Sequence, residues 1–399
     1  MSDDGQPLTL DQVRAAATVG RLPQLAQQLV ADRRWSSLEI LLTIAATPTL
    51  PLDDVAAALE SLLEALSGLG EADRKEATME LKEAQKHAAA ALARRLDREP
   101  LTEETRRGMR IAAGLFASLG EPRRAAELYE KAGDDAHAAE AWGALGDLDR
   151  MEACLGREED RRGRRLAMAR AFRAFDTLGA GGQRLEATRV AEGLDRDDPD
   201  AHALRERVTA LRARLCRGGS VALRLPDGSS LRVATLPAAI GRDPGVEIPV
   251  REPTVSRRHA RLRAEEQTIV LEDAGSRGGT FLGELRVAGS VPLPETGLLR
   301  LGTACVLRFS RRQDGGLLLE GTSGLDRPHR TLVGRGAVVV DEEAGFGRPI
   351  SFGFSAESIW IERPLDFPLE VGGGRVGPRC DLLHGDHIRA PDGRIWEVL

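Results

Sequence analysis

Three short blocks in the second half of the sequence concentrate side chains able to do chemistry. They are Gly241-Arg242, then Ser256-Arg257-Arg258-His259-Ala260, then Asp273-Ala274-Gly275-Ser276-Arg277-Gly278-Gly279-Thr280-Phe281. An arginine presents a planar fork of N–H donors and a serine hydroxyl adds one more, a set that suits an anion with several oxygens. Charge counting agrees: residues 217–312 hold 15 Arg against 10 Asp and Glu, so this span carries +5 while the chain totals -6 and the remainder sums to -11. A basic module on an acidic protein is what an anionic ligand requires. Any one of these arginines is as readily a solvated β surface; the placed pair Arg242 and Ser256 argues for a site.

Other chemistry is poorly represented. There is no Gly-Lys-Ser/Thr of a P-loop, and no lysine follows Lys131. His-Glu-x-x-His, Gly-x-Ser-x-Gly and His-Arg-Asp are all absent, so the chain is expected to be no enzyme and to need no cofactor. Cys154, Cys216, Cys305 and Cys380 are far apart with no Cys-x-x-Cys pair, which fits reduced thiols better than a disulfide framework or a zinc site. Cys380, His384, Asp386 and His387 read as strand and turn, and no metal is expected. The run Arg161-Arg162-Gly163-Arg164-Arg165, continued by Arg170 and Arg173, sits beside Glu158, Glu159 and Asp160 without interleaved aromatics. That describes a solvated helix face and no nucleic-acid partner. The opening MSDDGQPLTL has no basic or apolar leader region, and LEILLTIAATPTLPL is too short and broken to span a bilayer. A cytoplasmic protein without membrane insertion is the expectation.

Elements must position those blocks, and 399 residues allow two to four domains. A composition of 42% hydrophobic and 30% charged residues is globular. Arginine in place of lysine, with abundant Ala and Gly, suggests a GC-rich bacterial genome. Near Cys216 the composition turns from Ala, Leu, Glu and Arg to Val, Gly, Pro and turn dipeptides. Residues 1–215 read as helical and 220–399 as β-rich. VALRL-PDGS-SLRV is a hairpin with Asp-Gly at its turn, and short strands follow around AAIGR, HARLRA, TIVLED, TFLGELRV, GLLRLG and CVLRF. Their spacing predicts an antiparallel β-sandwich of about 100 residues.

The helical half repeats itself. Gly120, Gly133 and Gly146 stand thirteen apart, each followed by an acid. Ala112, Leu115 and Phe116 recur as Ala125, Leu128 and Tyr129, then Ala138, Ala141 and Trp142, then Met151, Cys154 and Leu155. Each triplet is one helical stripe, and each glycine supplies a left-handed stop. Units this short must stack to bury a core, as in a solenoid; a plain bundle is the alternative. AAELYEKAGDDAHAAEAWGALGD resembles tetratricopeptide-type repeats, with a shorter step than that family's, and the resemblance extends over about 109–215. Thr9 with Gln12 predicts a capping box, a long helix is expected over about 72–97, and Leu204, Val208, Leu211 and Leu215 form a stripe after the stop DRDDPD.

The three blocks resemble the forkhead-associated (FHA) domain, whose pattern is G-R, S-x-x-H, then roughly D-x-x-S-x-N-G-T-F-x-N-G. The resemblance covers residues 218–312. It implies an FHA β-sandwich whose end loops read phosphothreonine, with Arg242 and Ser256 on the phosphate and Arg257 and Arg277 holding phosphate or peptide backbone. Gly241, in this reading, lets the chain turn so that Arg242 points outward. His259 resembles the family's structural histidine, and Asp273, Thr280 and Phe281 are bracing and core. The family's peptide-gripping asparagine is Gly278 here, and its later Asn-Gly is Gly283-Glu284, which weakens peptide selectivity more than phosphate reading. Residues 330–399 read as a C-terminal β-rich module, a degenerate FHA-like fold in which no S-x-x-H follows Gly334-Arg335.

The expected protein is multidomain: an N-terminal all-α helical repeat, solenoid-like, then an FHA sandwich, then the C-terminal module. Its expected role is a non-enzymatic bacterial signalling adaptor, docking a phosphothreonine-bearing Ser/Thr kinase or its substrate through the FHA domain and a second protein through the repeats. The alternative is a phosphate-independent scaffold or secretion-system-associated assembly protein.

Overall fold

In the computed structural model, which describes residues 8–47, 49–194, 199–323, 329–341 and 343–399, the chain is helical between Leu10 and Arg214 and β-rich from Ser220 onward. The acidic opening residues and the DRDD of the expected stop before Pro199 lie outside the described residues. Two units divide at Arg165 and Leu166.

Within the first unit, the Thr9 hydroxyl accepts from the Gln12 N–H and the Gln12 side chain accepts from the Thr9 N–H, so the capping box closes the helix Leu10–Thr18. The long helix runs Glu71–Leu96. Three helix ends then repeat one geometry. Gly120, Gly133 and Gly146 have φ of +74°, +74° and +75°. The next residue's N–H, from Glu121, Asp134 and Asp147, reaches back to the carbonyls of Phe116, Tyr129 and Trp142 at 2.9, 2.9 and 3.1 Å. Each glycine thus adopts the left-handed conformation that satisfies the last helical carbonyls. The repeat stops there, because Leu148–Ala180 is one continuous helix of 33 residues. Glu159 stands where a fourth stop glycine would fall, and Leu155 of the fourth triplet is 49% exposed. The arginine run is also more than a solvated face. Arg161 of that run reaches Asp135 at 2.5 Å, as Arg157 before the run does at 2.7 Å, and that carboxylate is buried.

In the second unit, the helix Pro199–Arg214 packs Leu204 and Val208 against Ala171, Phe175 and Ala187, with Leu211 alongside. The boundary expected between 215 and 218 therefore falls inside a unit. Arg184, almost fully buried, pairs with Asp386 and donates to the Asp381 carbonyl at 2.7 Å. The Cys216 N–H donates to the Leu382 carbonyl at 2.9 Å. The helices after Arg165 belong with the β-rich region because these buried polar groups find their partners there.

Among the described residues, one sheet has twelve strands. From its middle, one half runs Ser230–Thr235, Ser220–Arg224, Ile395–Val398, His387–Arg389, Glu370–Val371 and Gly374–Arg375. The other half runs Arg330–Gly334, Leu317–Gly321, Cys305–Arg311, Thr296–Leu301, Thr280–Leu282 and Leu285–Arg286. The two middle strands pair in parallel, with Leu231 opposite Arg330 and Ala234 opposite Val333. A five-stranded sheet, Ile248–Pro249, Ala238–Gly241, Ala260–Glu265, Thr268–Asp273 and Ser290–Pro292, shares a core with Leu299, Phe309, Leu317, Leu319 and Val333. A four-stranded sheet, Val338–Val340, Ile350–Phe354, Ile359–Glu362 and Arg379–Asp381, shares a second core with Val221, Leu223, Leu231, Trp396 and Val398.

The leading hairpins are therefore exchanged. The hairpin 220–235, expected to open the first sandwich, pairs with the last strand of the chain, Leu223 opposite Val398 and Arg224 opposite Glu397. The hairpin 317–334, which leads into the second sandwich, pairs with Cys305–Arg311 and completes the first core. The boundaries 218–312 and 330–399 thus each leave one sandwich without a hairpin. Alternation along VALRL and SLRV specifies a hairpin with one buried face, but it does not specify which sheet that face covers.

Candidate anion-binding site

The site is built on the five-stranded sheet's end. Gly241 closes the strand Ala238–Gly241, and a Cβ there would lie 2.1 Å from the Arg257 carbonyl oxygen. The glycine is needed for this close approach; its φ is not in the left-handed region, which corrects the tight-turn reading. Beyond it the Arg242 and Asp243 N–H groups donate to the Ser256 and Arg257 carbonyls at 3.0 and 3.1 Å. The first two blocks are thereby laced backbone to backbone.

His259 joins the second block to the third. It is fully buried, and its Nδ1 accepts from the Ser256 N–H at 3.1 Å. That leaves the ring proton on Nε2, which donates to the Gly279 carbonyl at 3.0 Å. Asp273 organises the third block. Its carboxylate accepts from the Gly275 and Ser276 N–H groups and from the Ser276 and Thr280 hydroxyls, the last two at 2.6 Å. Burial alone would raise this carboxyl, but the four hydrogen bonds outweigh it and hold it below its ordinary 3.8.

This bracing delivers the Arg277 N–H to Ser256 Oγ at 3.2 Å. Arg242 donates through Nε to the Val255 carbonyl at 3.3 Å, and among the described residues its two terminal nitrogens have no protein partner. A cleft of about 600 Å³ results, lined by Arg242, Ser256, Arg257, Arg258 and Arg277, with Asp243 as its one acid. All four arginines are exposed, and among the described residues none forms an ion pair. Asp243 is turned to its own loop, accepting from the Gly245 N–H at 2.9 Å.

The cleft thus gathers Arg242, Ser256, Arg257 and Arg277, while His259 and Thr280 stand buried behind it. Gly278 does not line it; a Cβ at that position would sit 2.7 Å from the Gly302 Cα. Arg258 and Thr254 line it without having been singled out. Arg258 had a signal, since it adjoins Arg257 inside the Ser-x-x-His block; Thr254 had none.

The C-terminal polar residues are not gathered. Cys380 is buried, and burial pushes its thiol up to about 12. Asp386 is engaged by Arg184, and His384 Nδ1 lies 2.8 Å from the Leu399 carbonyl. Among the described residues no group of three or more His, Cys, Asp or Glu could hold a metal ion, and no helix is long and apolar enough to cross a membrane.

Residues 238–302 match the family model of the FHA domain, and the chain carries an FHA domain over that span. No curated protein matches the chain. Similar solved structures include one described as an analysis of phosphothreonine-dependent FHA domain interactions, 30% identical, covering 21% of this chain and 88% of that one with a TM-score of 0.17. Another is the FhaA FHA domain complexed with the intracellular domain of Rv3910, 30% identical, covering 21% of this chain and 91% of that one, TM-score 0.17. A third is the Mycobacterium tuberculosis Rv1747 FHA-1 domain, 28% identical, covering 22% and 88%, TM-score 0.17.

Proposed function

We propose that the cleft binds a phosphothreonine-bearing protein segment and that the chain is a non-enzymatic signalling adaptor. The observation that carries this is the state of Ser256. Its oxygen already accepts from the Arg277 N–H, so its proton is available to a phosphate oxygen beside the terminal nitrogens of Arg242. Phosphate oxygens are strong acceptors, and charged acceptors reward fixed N–H and O–H donors. Arg257 and Arg277 add charge at the rim. The docked partner in this reading is a Ser/Thr kinase or its substrate in the bacterial cytoplasm, and the helical repeats hold a second protein.

The C-terminal sandwich is read as a second, degenerate FHA-like module. Its half of the long sheet follows the same connectivity as the other half, hairpin, last strand, penultimate strand and then two short strands. Its corresponding loop is closed: Phe346 is buried against Trp396 at 4.3 Å between ring centroids, and Arg348 pairs with Asp366 at 3.5 Å. Among its described residues it supplies no phosphate cradle.

A second reading, a phosphate-independent scaffold or secretion-system-associated assembly protein, is favoured by Gly278 alone. Its contact with Gly302 leaves no room for the side-chain amide that grips a peptide backbone in the resembling family. Calorimetric titration of the full chain with phosphorylated and unphosphorylated forms of one threonine peptide library separates the two. Binding confined to the phosphorylated form is expected; equal binding of both forms establishes the scaffold.

A further inference from the structure

We infer that the cleft's ligand carries further negative charge next to the phosphothreonine, as acidic residues or a second phosphorylated residue. This rests on the phosphate reading above and extends it to the chemical class of the flanking sequence.

Three observations converge. The first is charge. Four arginines and one aspartate line the cleft, a net of +3. A phosphothreonine brings about -1.5 to -2 at neutral pH, so positive charge remains after the phosphate is seated. The second is pairing. Some arginines of this unit find carboxylates: Arg224 meets Glu397 at 2.6 Å, Arg263 meets Glu272 at 3.3 Å, and Arg312 meets Glu343, whereas others, such as Arg261 and Arg286, form no ion pair among the described residues. At the cleft four arginines without an ion pair among the described residues stand together. The one acid lining it, Asp243, accepts from Gly245, and Arg258 has no ion pair among the described residues. A cluster of like charges left uncompensated repels itself, and an anionic ligand relieves that.

The third observation concerns grip. With the Gly278 backbone against Gly302, no side chain can enter there to hold the ligand's main chain. Orientation and selectivity must then come from the charged side chains at the rim, Arg257, Arg258 and Arg277. Such contacts are long-range, salt-sensitive and satisfied by carboxylates or phosphates on neighbouring ligand residues.

The test uses the full chain and three peptides of one sequence: phosphothreonine with neutral flanks, phosphothreonine with Asp, Glu or a second phosphothreonine beside it, and the acidic peptide without phosphate. At low salt the second peptide is expected to bind about tenfold or more tighter than the first, with the gap closing as salt rises. The third is expected to bind far more weakly than either. Arg258→Gln together with Arg257→Gln should reduce the flank preference, read as the ratio of the two phosphopeptide affinities, to about threefold or less. Equal affinity for the first two peptides overturns this inference and leaves the phosphate reading standing. Equal affinity for the second and third overturns the phosphate reading itself, as does failure of both phosphopeptides to bind.

Discussion

The Arg277 N–H donates to Ser256 Oγ across 3.2 Å, joining two loops that lie 21 residues apart in sequence. The bond uses the oxygen and leaves the hydroxyl proton, so the serine is oriented as a donor before any ligand arrives. Preorganisation of this kind lowers the ordering cost of binding.

Contact and brace should separate by mutation. Arg242→Ala removes charge-assisted donors, each worth about 1.5–3 kcal/mol, so phosphopeptide affinity should fall roughly 10- to 150-fold. Ser256→Ala should lose less, because it removes one neutral hydroxyl. Neither should lower stability much, since Arg242 is exposed and Ser256 only half-buried. His259→Ala should do the opposite, costing about 1–3 kcal/mol by orphaning a buried N–H and a buried carbonyl. Urea melts set beside peptide titrations check the contrast, which fails if Arg242→Ala binds like the parent.

Restoring the resembling family's asparagine should not restore its function. Gly278→Asn places a Cβ 2.7 Å from the Gly302 Cα, so backbone must move. A cost of about 1–3 kcal/mol from overpacking is expected, with no gain in peptide affinity. A stable variant that binds more tightly would show that the loop relaxes freely.

Asp273 makes the site acid-sensitive. Its folded carboxyl titrates below the ordinary 3.8, so its stabilisation is complete above the unfolded value and is lost as pH falls from there through the lowered folded value. Asp273→Asn should be less stable than the parent by about 1–3 kcal/mol near neutrality. The gap should narrow below about pH 4. Denaturant midpoints of both proteins across that range measure it, and a constant gap would assign the effect to something other than the charge.

Truncation at the expected domain limits should fail. A fragment 218–312 lacks Leu317, Leu319 and Val333 of its core, while carrying Val221, Leu223 and Leu231, which belong to the other core. It should be largely unfolded or aggregated by circular dichroism and size-exclusion chromatography. A fragment 166–399 should fold, and its denaturant transition should be single. Two well-separated transitions would show that the sandwiches are independent after all.

What the sequence revealed follows from how local each feature is. The stops at Gly120, Gly133 and Gly146, the Thr9–Gln12 cap and the hairpin turn at Asp227-Gly228 are all set by residues within a few positions of one another. The three site blocks were legible because close approach at Gly241 and bracing by His259 demand particular residue types. Partner choice is not local. Nothing in the alternation of 220–235 distinguishes the edge beside Cys305–Arg311 from the edge beside Ile395–Val398, and nothing near Cys216 announces that Arg184 has its counter-ion at Asp386. The fourth helical repeat was over-read, since its stripe continued where its glycine did not.

The exchange of hairpins also sets an order of assembly during synthesis. Arg224 and Glu397 are paired neighbours 173 residues apart in the chain, so the first hairpin leaves the ribosome long before its proper edge exists. In that interval Val221, Leu223 and Leu231 have no core to cover, because Trp396 and Val398, which share their core, are made last. The strands 317–334 emerge sooner and close the first core on Cys305–Arg311. Pairings as distant as that between 220–224 and 395–398 form slowly. The slow event expected in its maturation is the docking of 220–235 beside the last strand, after the sandwich that carries the arginine-lined cleft has closed.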